Sequence, residues 1–203
     1  MSGAGEIYGA RGFGGRQGGG RRPALVVIDL QRGIVSRDVA PHAARDVVAR
    51  SARLADALRR AGGRVVLVRV AYAADEGDRL HVPVDTALPG APMPPDWADL
   101  VPEVGRDGDL VITKHQWGAF YGTELELQLR RRGLTTLLMC GISTNFGVES
   151  TARDGWERGF RIVFVEDAMA GMSAEAHAFA ITTIFPRIGR VRSSADVLAA
   201  LGG

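Results

Sequence analysis

The sequence is poor in thiols and lysine and lacks a long apolar run, and each scarcity narrows the explanations. Its single cysteine, Cys140, permits no intrachain disulfide and no multi-cysteine zinc or iron–sulfur centre. It points to a cytoplasmic protein rather than a secreted one. No apolar run approaches the roughly 20 residues that span a bilayer, and the amino-terminal stretch is rich in Gly and Arg with no hydrophobic signal core. Neither a membrane nor an export role is expected. Charge of either sign is not in excess, with 25 Lys and Arg against 23 Asp and Glu, so no concentrated basic surface suggests a nucleic-acid partner. The Gly cluster at 12–20 precedes the first strand instead of following it, so it is not a phosphate loop or dinucleotide fingerprint, and no cofactor is expected. The four histidines, His42, His81, His115 and His177, are scattered without ligand spacing, and no metal is expected. Lysine occurs once, at Lys114, and every other member of the Lys and Arg count is arginine. Arginine evidently suffices elsewhere, and it replaces lysine poorly where a compact ammonium must meet a buried acid.

What remains is a chain of 203 residues, 46% hydrophobic, suited to one globular domain after a Gly- and Arg-rich arm at 1–22. Ala24–Asp29 is an apolar run without alternation that ends at an acid, as expected of a strand buried on both faces of a parallel sheet. Apolar residues at helical spacing over 42–61 lead through Gly62 and Gly63 into a second buried strand, Val65–Val68, which makes a βαβ unit. Residues 73–107 hold most of the prolines and read as a long irregular excursion. Strands follow at 110–113, 136–140, 162–165 and 190–192, with helices at 124–132, 148–158, 174–184 and 195–201 between and after them. This alternation predicts a single α/β domain over 23–203, a three-layer Rossmann-like sandwich with a mostly parallel sheet of about six strands. Ligands of such sheets bind outside the carboxyl ends of the strands, where Asp29, Lys114 and the segment Gly141–Gly147 fall together.

Three stretches, PALVVIDLQRG, VITKHQWGAFYGTELELQLRRRG and MCGISTNFGVESTARDGWERGFRIVFVEDAMAG, occur in the order and at the spacing of the isochorismatase-like (cysteine hydrolase) superfamily, which the chain resembles from Pro23 onward. The amino-terminal YGARGFGGRQGGGRRPAL resembles its N-carbamoylsarcosine and maleamate amidohydrolase branch. The resemblance implies a hydrolase that works as a homodimer or homotetramer on a small molecule. It carries a catalytic aspartate onto Asp29 and a catalytic lysine onto Lys114. The third member of the set, a nucleophilic cysteine, falls on Gly147. The resemblance also implies a cis peptide between Ile142 and Ser143. Cys140 lies within an apolar strand with nothing to lower its pKa, so it reads as a small buried hydrophobe and not as a displaced nucleophile. Gln31, Arg69, Tyr72, His115, Trp117, Phe120, Ser143 and Phe146 are the candidate substrate-binding residues.

Three functions fit this pattern. Members of the superfamily with glycine at the cysteine position include enzymes that cleave a vinyl ether without a covalent intermediate. On that precedent Asp29 is the general acid, Lys114 its partner, and the substrate an anionic small molecule. The second is a C–N amidohydrolase with an altered or engineered nucleophile. The third is an inactive homologue that binds a small molecule.

Overall fold

The strand predicted at Ala24–Asp29 forms as β1, Pro23–Ile28, and all six of its residues are buried. The computed structural model describes residues 23–86 and 93–202, and the expected arm at 1–22 lies outside them. β1 sits inside a six-stranded sheet with β2 (Arg64–Val70), β3 (Leu110–Lys114), β4 (Thr136–Ile142), β5 (Arg161–Ala170) and β6 (Arg190–Arg192), in the order β3-β2-β1-β4-β5-β6. Every pairing is parallel. The order reverses between β1 and β4, and that switch point opens a crevice at the carboxyl edge.

A parallel sheet needs both faces covered, and the apolar residues of β1 divide accordingly. Leu25 and Val27 face one side with Val47, Leu54 and Leu58 of α2 (Ala44–Arg60) and Val197 of α7 (Ser194–Leu201). Ala24, Val26 and Ile28 face the other with Leu125 and Leu129 of α3 (Leu125–Arg131), Ala152 of α4 (Glu149–Glu157) and Phe185 of α6 (Phe185–Ile188). Truncating a residue such as Leu54, which is fully buried, to alanine costs about 2–5 kcal/mol in such a core. β1 and β4 approach so closely that a β-carbon on Gly141 would lie 2.1 Å from the Ile28 carbonyl oxygen, and the φ of +118° at Gly141 also favours glycine.

The structure extends several expected elements. β5 runs on to Ala170 past an irregularity in its pairing with β4 between Met139 and Gly141. The helix expected from Val148 begins earlier, as a π-helical turn Thr144–Val148 that leads directly into α4. The helix expected over 174–184 comprises α5 (Ala174–Phe179) and a second π turn, Ala180–Ile184, which continues into α6. Pro186 is the second residue of α6, directly after the π turn. A short helix α1 (Arg32–Val35) after β1 was not foreseen. The described part of the excursion is irregular as expected, apart from a bridge between Leu100 and Gln31. Among the described residues no helix is long and apolar enough to cross a membrane.

Candidate active site

Along β1, odd-numbered side chains face α2 and even-numbered ones face α4, so alternation alone would send Asp29 to the α2 side. Asp29 instead has a φ of +52°, an uncommon conformation for a residue with a β-carbon. Its backbone N–H still donates to the Val68 carbonyl at 2.9 Å. The turn brings its carboxylate to Lys114, which follows Ile112 on the α4 side of β3. Lys114 Nζ lies 2.8 Å from Asp29 Oδ2 and donates to the Trp117 carbonyl at 2.5 Å. Both side chains are buried, with Lys114 among the largest fully enclosed side chains in the protein. Asp29 Oδ1 is buried without a hydrogen-bond partner. Burial pushes the Asp29 carboxyl up from its ordinary value to about 6, against the charge and hydrogen bond of Lys114, which pull it down.

Gly147 closes the third side. A β-carbon there would sit 3.0 Å from Asp29 Oδ2, 3.1 Å from Lys114 Nζ and 2.9 Å from Ile28 Cγ2. The expected convergence of Asp29, Lys114 and Gly147 at one sheet edge is therefore observed. Cys140 lies in β4 with no exposed surface, and burial pushes its thiol up to about 12, so it holds no thiolate at neutral pH. The Ile142–Ser143 peptide is cis, as the resemblance implied.

The other candidates divide. The Trp117 ring meets Phe146 edge-on with centroids 4.8 Å apart, beside the Lys114 ammonium that the Trp117 carbonyl binds. Ser143, almost buried, opens the π turn, and its carbonyl accepts the Phe146 and Val148 N–H groups, each at 3.2 Å. Tyr72 stacks on Trp97 at 6.5 Å. Burial raises the pKa of its hydroxyl, and the Asp29 charge adds to the rise, so Tyr72 is within electrostatic reach of the pair. His115 flanks Tyr72 and donates from Nδ1 to the Ala71 carbonyl at 2.7 Å.

Three expectations need correction. Gln31 is fully buried, and its side-chain amide is committed to the backbone: Oε1 accepts the Val70 N–H at 2.9 Å, while Nε2 donates to the carbonyls of Val70 at 3.0 Å and Trp97 at 3.2 Å. It latches the ends of β1 and β2 together. Phe120 is a core residue, 5.5 Å from the Phe160 ring, and not a pocket wall. Arg69 alternates to the α2 side of β2, away from Lys114, where Nε donates to Thr113 Oγ1 at 3.1 Å. The histidines are also less scattered than the sequence suggests, because the fold brings His42 and His177 to within 5.8 Å, ring to ring.

Sequence reasoning missed two supporting residues. Thr151 Oγ1 donates to the Gly147 carbonyl at 2.7 Å and accepts the Ala119 N–H at 3.1 Å, which ties the Gly147 turn to the loop after β3. Trp97 lies so close to Gly33 that any β-carbon there would overlap its ring. A lone threonine in a helix and a lone tryptophan in an irregular segment carry no pattern that would mark either.

A buried acid and lysine that meet at the carboxyl edge of a parallel sheet, beside the first turn after β4, fit the class of isochorismatase-like hydrolases. The chain belongs to the isochorismatase family, whose domain matches residues 23–196. It is 52% identical over 179 residues to the uncharacterized isochorismatase family protein YecD of Escherichia coli O157:H7, covering 88% of this chain and 95% of that protein. Among solved structures, an isochorismatase family protein from Burkholderia thailandensis is 45% identical with a TM-score of 0.87, over 90% of this chain and 97% of that one. The N-carbamoylsarcosine amidase of Thermoplasma acidophilum is 28% identical with a TM-score of 0.68, over 85% and 96% respectively.

Proposed function

We propose that this hydrolase cleaves an enol (vinyl) ether of an anionic small molecule without a covalent intermediate, with Asp29 as general acid and Lys114 as its partner. The observation that carries this reading is the state of Asp29. Its carboxyl is buried, its pKa is raised to about 6, and it stands against a glycine where a thiol would otherwise be. An acid that must give up a proton near neutral pH needs a pKa close to that pH. Lys114 occupies Oδ2, which leaves Oδ1 to carry the proton.

The reaction balances without any other group. Asp29 protonates the terminal carbon of the enol ether, and the double-bond electrons form the new C–H bond. The resulting oxocarbenium ion is captured by water. That water returns a proton to the Asp29 carboxylate, and the hemiketal collapses to a carbonyl compound and an alcohol. Lys114 steadies the carboxylate while it is unprotonated. The helical run that starts at Thr144 begins beside this pair, and its amino-terminal dipole favours a negatively charged group on the substrate.

The likeness to N-carbamoylsarcosine amidase favours a second reading, hydrolysis of a C–N bond with water in place of the thiol. A substrate screen divided between carboxylated enol ethers and carbamoyl or maleamate-type amides separates the two. Turnover of enol ethers alone supports the first. Turnover of amides alone contradicts it.

A further inference from the structure

Among the described residues, a second cluster of titratable side chains lies outside the Asp29–Lys114 pair. His42 Nε2 is 2.9 Å from Glu166 Oε1, and His177 Nε2 is 3.3 Å from the same oxygen. The three donor atoms all lie within 4.8 Å of one another. We propose that His42, Glu166 and His177 form a binding site for a divalent transition metal of the zinc class, separate from the Asp29–Lys114 pair.

Two imidazole nitrogens and one carboxylate oxygen are the donor set of open zinc sites, in which water completes the coordination. Around a tetrahedral ion with bonds of about 2.0–2.1 Å, neighbouring donors stand roughly 3.3 Å apart, so the two Glu166 pairs are already near that spacing and the widest pair must close by at most about 1.5 Å. The ligands come from three separate segments, the loop before α2, β5 and α5, and the backbone already holds these together. Ala40 and Gly171 exchange hydrogen bonds of 2.9 and 2.8 Å, which pins the loop carrying His42 to the end of β5. The Ser173 side chain caps α5 by accepting the Ala176 N–H and so sets the start of the helix that carries His177.

The outer shell fits as well. His177 is almost fully buried, and Thr144 Oγ1 lies 2.8 Å from its Nδ1. An Nδ1–H donated to that hydroxyl leaves the Nε2 lone pair directed at the ion, the arrangement that orients most metal-bound histidines. His42 and Glu166 are partly exposed, which gives the ion a way in and leaves room for bound water. Asp167 is turned away to Arg50 and Ser194 and is not a ligand. An ion here clips the loop before α2 to β5 and α5. Through Thr144 it also reaches the turn that carries Gly147.

The test is calorimetric titration of the untagged, metal-stripped full chain with Zn2+, together with the visible absorption spectrum on adding Co2+. One ion per chain and d–d bands of low coordination number are expected. Second-shell changes alone typically weaken such sites 10–100-fold, so His42→Ala and Glu166→Gln, both at partly exposed positions, should each weaken Zn2+ binding by about 100-fold or more. The control His81→Ala should leave binding unchanged. No heat and no Co2+ bands with the wild-type protein would overturn the proposal, and so would one-to-one binding that survives both ligand substitutions.

Discussion

Lys114 holds one oxygen of the Asp29 carboxyl at 2.8 Å and leaves the other buried without a partner. The two oxygens thus have different environments although they belong to one group. The one facing the ammonium favours charge, and the other sits where charge is penalised. Burial outweighs the lysine, which is why the group titrates near 6 and not near the ordinary carboxylate value.

Replacing Asp29 with asparagine nearly preserves shape and removes the transferable proton. General acid–base catalysis contributes about 10²–10⁴-fold, so Asp29→Asn should lower kcat by a factor in that range with little change in KM. The proposed mechanism requires the protonated form, so on that mechanism wild-type kcat/KM should fall as pH rises through about 6. Steady-state kinetics across pH 4 to 8, a range of about two units either side of that value, check both.

Lys114→Met tests the coupling. The lysine lowers the Asp29 pKa by its charge and by its hydrogen bond, so its removal should drive that pKa above 6 and move the descending limb of the pH profile to higher pH. A carbon-13 titration of labelled aspartate carboxyls measures the shift directly. An Asp29 titration unchanged by the substitution would show that the pair is not coupled.

The two thiol experiments run in opposite directions. Cys140 is enclosed in β4, so the folded protein should resist iodoacetamide, and Cys140→Ala should keep full turnover. Gly147→Cys should instead take up one alkyl group per chain. Its β-carbon must displace the ends of Ile28, Asp29 and Lys114 by a few tenths of an ångström, and overpacking of this kind costs about 1–3 kcal/mol, read as a lower midpoint in urea.

Gln31→Leu separates the latch from a substrate contact. Removing the amide takes from the Val70 N–H and the Val70 carbonyl the partner that Gln31 gives them, each such loss costing about 1–3 kcal/mol, and leaves the Trp97 carbonyl with the Gly33 N–H alone. The expected result is a clear loss of stability in urea, with KM unchanged for the molecules that still fold. A raised KM at undiminished stability would return Gln31 to the substrate-binding set.

The parallel order of the sheet was legible because β1 is apolar without alternation, and strand-end logic then placed Asp29, Lys114 and Gly147 together. The missed parts share one cause, that they depend on where a side chain turns once its neighbours are in place. Asp29 reaches Lys114 only through a positive φ that breaks the alternation of its strand. Gln31 follows the catalytic-looking aspartate in the chain, yet its amide is spent on β2 and on Trp97, a residue from an irregular segment with no predictable position. Phe120 and Trp117 are neighbours of similar character, and only packing assigns one to the core and leaves the other half exposed. His42 and His177 are separated by most of the sheet in sequence, and they meet because Ala40 pairs with Gly171.

The claim that Asp29 acts directly, with no covalent intermediate, is tested most directly by intact-protein mass spectrometry of the wild-type enzyme, quenched while product accumulates from an enol-ether substrate. The account predicts the unmodified mass of the chain throughout turnover. An adduct of the acyl or glycosyl-like fragment on any side chain, formed and lost at the rate of turnover, would contradict it.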